Sequence, residues 1–124
     1  MNRLQQIIDT QKQLQNRLGK DISTMGQAEK TALIKDNVYF VTEELHEMAR
    51  ELPYVKDWKD YSGLSDEDIA NRVERARKEF IDVFIFLMNI GIALNMSAED
   101  IENYFFEKNA INHARQDNGY KEEA

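Results

Sequence analysis

Two short segments of the chain, EELHE at 43–47 and EFID at 79–82, carry acids at helical spacing. Glu44 and Glu47 are three residues apart and share one helix face, and Glu79 and Asp82 repeat that spacing. Glu44 and Glu47 lie at the edge of an apolar stripe made by Val41, Leu45 and Met48, whereas Asp82 stands among Phe80, Ile81, Val83 and Phe84. An ionised carboxylate in apolar surroundings is costly unless it is paired or bound to a metal. Two such pairs on neighbouring helices can converge, and four carboxylates together raise one another's pKa values. A divalent cation cancels that repulsion. All-oxygen ligands suit magnesium, with manganese as a substitute, whereas zinc prefers imidazole or thiolate. The alternative is a solvated acidic face from Glu43 to Glu47, with Asp82 paired to a lysine or arginine.

A second cluster lies near the carboxyl end. Tyr104, Lys108, Asn112 and Arg115 recur along one helix face, with Gly119, Tyr120 and Lys121 just beyond it. Lys108 and Arg115 can make charge-assisted bonds to a triphosphate, and Asn112 an amide bond to a sugar hydroxyl. In a chain of formal charge -7 this is a local reversal of sign; the alternative is an ordinary solvated face. Gln11 and Gln15 share the edge of an apolar stripe, where an amide either reads the edge of a base or faces solvent. Trp58 sits in a loop, free to stack on a base or to pack back onto the protein. His46 and His113 read as structural or exposed residues.

Long helices are needed to position these groups, and the sequence supplies them. Only five Gly and one Pro interrupt stretches rich in Leu, Glu, Lys, Ala, Gln and Arg. Four segments follow: about 2–18, ended by Gly19; about 27–52, stopped by Pro53; from Ser65 to about 94; and from Ser97 to about 116. Ser65 with Asp68, and Ser97 with Asp100, have the spacing of capping boxes. Between Pro53 and Leu64 runs an aromatic loop with Tyr54, Trp58 and Tyr61. The second half of the third helix, FIDVFIFLMNIGIAL, is apolar almost all round and should be buried on several sides. The expected fold is therefore all-α, a four- to five-helix bundle in one domain over 1–124, with 117–124 a polar tail. A homodimer would supply the helices that bury the third one.

Composition narrows the function classes. Cysteine is absent, which removes disulfides, thiolate metal sites and thiol catalysis. The net negative charge works against a nucleic-acid polymer as partner. The amino-terminal stretch has no apolar core of the signal-peptide type, and the run from Phe80 to Leu94 is too short to span a bilayer. No membrane association is expected, and the expected location is cytoplasmic, in a bacterium or a phage-infected host cell.

Taken together, EELHE, EFID and the closing segment KNAINHARQDNGYK resemble the all-α nucleoside triphosphate pyrophosphohydrolases, the superfamily of MazG-like proteins and dimeric dUTPases. The closing segment, TQKQLQNRL and the loop Trp58 are similar to the dimeric dUTPase branch, including its phage-encoded members. The resemblance implies magnesium-dependent hydrolysis of dUTP, and of dUDP, to dUMP by a homodimer whose subunits help complete each other's sites. It implies Glu44, Glu47, Glu79 and Asp82 as metal ligands, Glu44 also as the base that activates water, and Glu43 as an auxiliary acid. Lys108, Asn112, Arg115, Tyr120 and Lys121 match residues that hold phosphates and sugar; Gln11 and Trp58 match base contacts. The sequence departs from that branch in three ways. Ile85 stands where a histidine is common, Gln15 replaces an asparagine, and much of an inserted region that helps enclose the base is missing. These departures leave a MazG-like enzyme of other base preference, such as a dCTPase, as the alternative; a non-enzymatic helical dimer that binds a partner protein, with the acids as surface, is the third reading.

Overall fold

The computed structural model describes residues 2–119, so the expected sugar and phosphate contacts Tyr120 and Lys121 lie outside the described residues. Four α-helices form, α1 (Arg3–Arg17), α2 (Gln27–Glu51), α3 (Asp66–Ala93) and α4 (Ala98–Asp117), with a 3-10 turn at Ile22–Thr24 between the first two. Every segment expected from periodicity is present, and there is no β-strand among the described residues.

The helix ends follow from local chemistry. Ser65 and Ser97 each accept the N–H three residues on, and Asp68 and Asp100 accept the serine N–H in return, at 3.0–3.1 Å. α1 closes in a Schellman motif: Lys20 N donates to Gln15 O at 2.8 Å, and Gly19 adopts the left-handed conformation at φ 76°. α3 closes in the same way, but Asn95 takes the left-handed position at φ 57° and Met96 N donates to Gly91 O at 3.0 Å. That turn redirects the chain, and α4 leaves at 102° to α3.

α2 and α3 form the main pairing, and they run antiparallel. Glu51 meets Arg75, Phe40 meets Phe86 and Asn37 meets Asn89, so positions on α2 fall as those on α3 rise. α1 lies across α3 through Gln11 and Asn89, and its start is tied to α4 by Asn2 with Glu102 and by Gln5 with the Ala98 N–H. A small apolar core of Ile8, Ile92 and Ala98 sits where α1, α3 and α4 meet, with Leu4, Ile22 and Ile101 against it. No single helix among the described residues is long and apolar enough to cross a membrane.

The apolar half of α3 is not buried on several sides within one chain. Val83, Asn89, Ile92 and Ala93 are buried, but Phe80, Ile81, Phe84 and Leu87 are exposed along one face. Among the described residues α2 and α1 give the helix most of its cover; α4 meets it only near Ile92 and then turns away, leaving this face open.

The paired caps carry a stability prediction. Ser65→Ala or Ser97→Ala should each lower unfolding free energy by about 1 kcal/mol. Urea denaturation would read this as a lower midpoint with an unchanged slope.

Candidate functional site

The α2–α3 pairing brings acids from both helices to one level. Glu44, Glu79 and Asp82 each offer a carboxylate oxygen, and these oxygens lie within 4.8 Å of one another. Glu44 and Glu79 are half-buried and Asp82 is exposed. Glu44 Oε2 is buried and has no hydrogen-bond partner among the described residues. Neither ion pair found among the described residues, Arg75 with Glu51 and Arg77 with Glu74, involves these acids. Lysine or arginine pairing therefore does not explain Asp82.

The electrostatic consequence falls on Glu44. Its carboxyl is pushed up from 4.5 to about 7. Burial is the largest cause, and a hydrogen bond to Glu79 that only a protonated carboxyl donates comes next. The charges of Glu47, Asp82 and Glu79 add to it. Glu47 thus faces the cluster from one turn along α2, although its side chain is exposed and is not one of the three converging ligands. Glu43 is exposed beside them. An unpartnered buried oxygen inside a ring of like charges, all of them hard oxygen donors, fits a divalent cation.

Asp82 is not enclosed by its apolar sequence neighbours. Asp82 stands among apolar residues in sequence, yet Phe80, Ile81 and Phe84 are themselves exposed in the chain. Neighbours along a helix do not bury a side chain; a second helix does. Glu44, not Asp82, carries the desolvation cost.

The basic face does not reach this site within one chain. Among the described residues, no hydrogen bond or ion pair joins Lys108 or Asn112 to the carboxylates. Helix rise and the 102° turn put Lys108 roughly 20 Å from Asp82. Lys108 and Asn112 instead line a shallow cavity with Tyr104 and Phe105, and Arg115 is half-buried further along α4. Trp58 projects from its loop at 83% exposure, while Tyr61 is buried beneath, its hydroxyl accepting from Lys56 N. His46 and His113 are both exposed.

Gln11 is neither a surface residue nor alone. It is buried, and its Nε2 donates to Asn89 Oδ1 at 2.9 Å. Asn89 Nδ2 donates to Asn37 Oδ1 at 3.0 Å, and Asn37 Nδ2 to Leu33 O at 2.9 Å. Asn37 and Asn89 are the residues that sequence reasoning missed. Asn89 interrupts an apolar stretch, the same signal that drew attention to Asp82, though a neutral amide breaks the pattern less visibly than a charge; Asn37 follows Lys35 and Asp36 and gives no such signal.

Comparison with known proteins places these features in a family. The sequence profile of a family described as dUTPase matches residues 3–98 and 71–120. A dCTP pyrophosphatase of Enterobacteria phage LZ5 is 32% identical over 143 aligned positions, covering 94% of this chain and 82% of the phage protein. A dCTP pyrophosphatase of Enterobacteria phage T4 is 45% identical over 42 residues, 34% of this chain and 25% of that protein. No solved structure gives a significant match.

The raised Glu44 carboxyl makes metal-free stability depend on pH. The folded state holds this proton more tightly than the unfolded chain, so its contribution is complete below pH 4.5 and is lost as pH rises to about 7. The melting temperature without divalent cations should fall across that window. Magnesium at pH 8, or Glu44→Gln without metal, should restore it, as thermal melts with and without a chelator would show.

Proposed function

The chain belongs to the dUTPase family of the all-α, MazG-like nucleotide pyrophosphohydrolases, and on that premise we propose that it hydrolyses a deoxypyrimidine triphosphate, with dCTP its preferred substrate. The observation that carries the enzymatic reading is the convergence of Glu44, Glu79 and Asp82 around a buried, unpartnered oxygen. The closing motif favours dUTP, whereas both phage relatives are dCTP pyrophosphatases, and this supports the cytosine alternative.

Magnesium is the cation that a small, all-carboxylate site suits best, with manganese a substitute. Glu44, Glu47, Glu79 and Asp82 would hold it. When bound, such a cation neutralises phosphate charge and makes water more acidic. Glu44 takes the proton of the water that attacks the α-phosphorus; the bond from that phosphorus to the bridging oxygen breaks, releasing pyrophosphate and the nucleoside monophosphate. Glu43 adds negative charge beside the ligands as an auxiliary acid. Lys108, Asn112 and Arg115, with Tyr120 and Lys121, hold phosphates and sugar, and Gln11 and Trp58 contact the base.

The separation of the basic face from the acids within one chain favours a homodimer in which α4 of one subunit serves the carboxylates of the other. The uncovered apolar face of Phe80, Ile81, Phe84 and Leu87 borders the acids and gives such a partner a place to pack.

Two measurements test this. Purified protein with magnesium should release pyrophosphate and dCMP from dCTP faster than it converts dUTP, and Glu44→Gln or Asp82→Asn should cut kcat at least about a hundredfold. Full activity in either variant would remove these residues from the site. Mixing inactive Glu44→Gln subunits with inactive Lys108→Ala/Arg115→Ala subunits should recover about a quarter of wild-type activity, because half the dimers then hold one intact site. No recovery after verified subunit exchange would argue that each site is built from a single chain.

A further inference from the structure

Four amides of α1, α2 and α3 are buried together: Gln11 and Gln15 at 8% exposure, Asn37 at 6% and Asn89 at 5%. Three of them form a chain whose direction is not free. Asn37 Nδ2 donates to the carbonyl oxygen of Leu33, and a carbonyl can only accept. Asn37 therefore cannot turn its amide over without setting two oxygens face to face. Its Oδ1 must point to Asn89, which donates through Nδ2 and so presents its own Oδ1 to Gln11. One backbone carbonyl, 22 positions along the sequence from Gln11, sets the orientation of the Gln11 amide.

Gln11 is left with specific unspent groups. One N–H of Nε2 is consumed by Asn89, and Oε1 accepts no hydrogen bond among the described residues. Gln11 lines two cavities, of about 690 and 620 Å³. Gln15, whose side chain makes no hydrogen bond among the described residues, lines the second of these beside Phe40. An aromatic ring and two buried amides with bonding capacity to spare make a built polar site, not a packing defect.

We propose that the Leu33–Asn37–Asn89–Gln11 chain is a polarity lock that fixes which pyrimidine the pocket accepts. The inference rests on the nucleotide pyrophosphohydrolase reading and extends it to the choice of base. An amide offering Oε1 and one N–H matches the 4-amino donor and N3 acceptor of cytosine. Uracil presents the reverse pair, a 4-oxo acceptor and an N3–H donor. For a ring held in one pose, uracil needs the Gln11 amide flipped, and the flip sacrifices the bond to Asn89. Gln11 makes the contact; Asn37 and Asn89 are positioning residues that keep it from turning.

Specificity, not activity, is the quantity that separates this role from simple helix glue. The ratio of kcat/KM for dCTP over dUTP should be large in the wild-type protein with magnesium. Asn89→Leu and Asn37→Leu should each lower that ratio about tenfold or more while kcat for dCTP stays within a few-fold, the size expected when one buried hydrogen bond no longer discriminates. Asn37→Thr, whose hydroxyl can still donate to Leu33 and accept from Asn89, should keep the ratio. The wild-type protein supplies an independent arm should the leucine variants not fold. A deoxynucleoside triphosphate carrying pyrimidin-2-one, which lacks the 4-amino group, should compete at least tenfold more weakly than dCTP. A ratio unmoved in folded leucine variants, equal competition by the pyrimidin-2-one nucleotide, or a wild-type preference for dUTP overturns the lock. Absence of turnover with any nucleotide overturns the parent reading itself, a result distinct from these.

Discussion

Glu44, Glu79 and Asp82 repel one another, yet their oxygens stay within 4.8 Å because α2 and α3 pack antiparallel in one register. Without that register the acids would separate and hydrate. Contacts on both sides of the acids hold it. Toward one end Arg75 reaches Glu51 at 2.7 Å, but the arginine side chain is more than half exposed, and exposed ion pairs contribute little. Toward the other end Phe40 lies against Phe86 at 5.3 Å between ring centres, and Asn37 bonds to Asn89 in a buried setting. The second group carries most of the restraint. The register in which the carboxylates are forced together therefore rests on the α2–α3 packing as a whole, with Phe40 against Phe86 on the side of the amides, and loss of one amide bond leaves it in place.

The helices were legible because their signals are local. Capping serines, Gly19 and Pro53 mark ends through the few residues beside them, and the structure keeps those ends. The acid pairs were legible for a similar reason, since an i, i+3 spacing of charges on a patterned helix needs no knowledge of the partner. What surrounds a side chain is a tertiary property, and the sequence misled there. Asp82 has apolar neighbours on both sides in sequence and is exposed, whereas Glu44, in an ordinary-looking acidic segment, is the group that α3 desolvates. Asn37 and Asn89 went unread because their importance lies in meeting each other across 52 positions.

The direction of α4 also escaped periodicity. Tyr104, Lys108 and Asn112 line one cavity on α4, and where that face points is decided by the Asn95 turn, a left-handed residue that follows α3 by two positions. A helix 102° away from α3 cannot lay Lys108 over acids on the middle of that same helix. Within one chain Lys108 therefore lies away from the carboxylates, which is why the proposed reading calls on a second subunit. The same consideration applies to Trp58. Tyr61 is buried in the same loop while the Trp58 ring stands 83% exposed, outside the cavities that Gln11 lines.

Along the α2–α3 pair the polar chemistry is divided by type. Charged oxygens gather around Glu44, and neutral amides gather around Asn37, seven residues earlier on the same helix. Helix rise makes that separation about 10 Å, a span that a nucleotide can bridge with its base at one end and its phosphates at the other. The division has an energetic logic. A cation site needs charge and gains from mutual repulsion that the cation relieves, whereas base discrimination needs uncharged donors and acceptors whose directions cannot change. Phe40 and Phe86 pack between the two levels and keep the amides in a setting where an unmade hydrogen bond is costly. One helix pair can therefore carry both the chemistry of phosphate cleavage and the reading of the base, provided its register does not slip. The packing of Phe40 against Phe86 is a direct restraint on that slip.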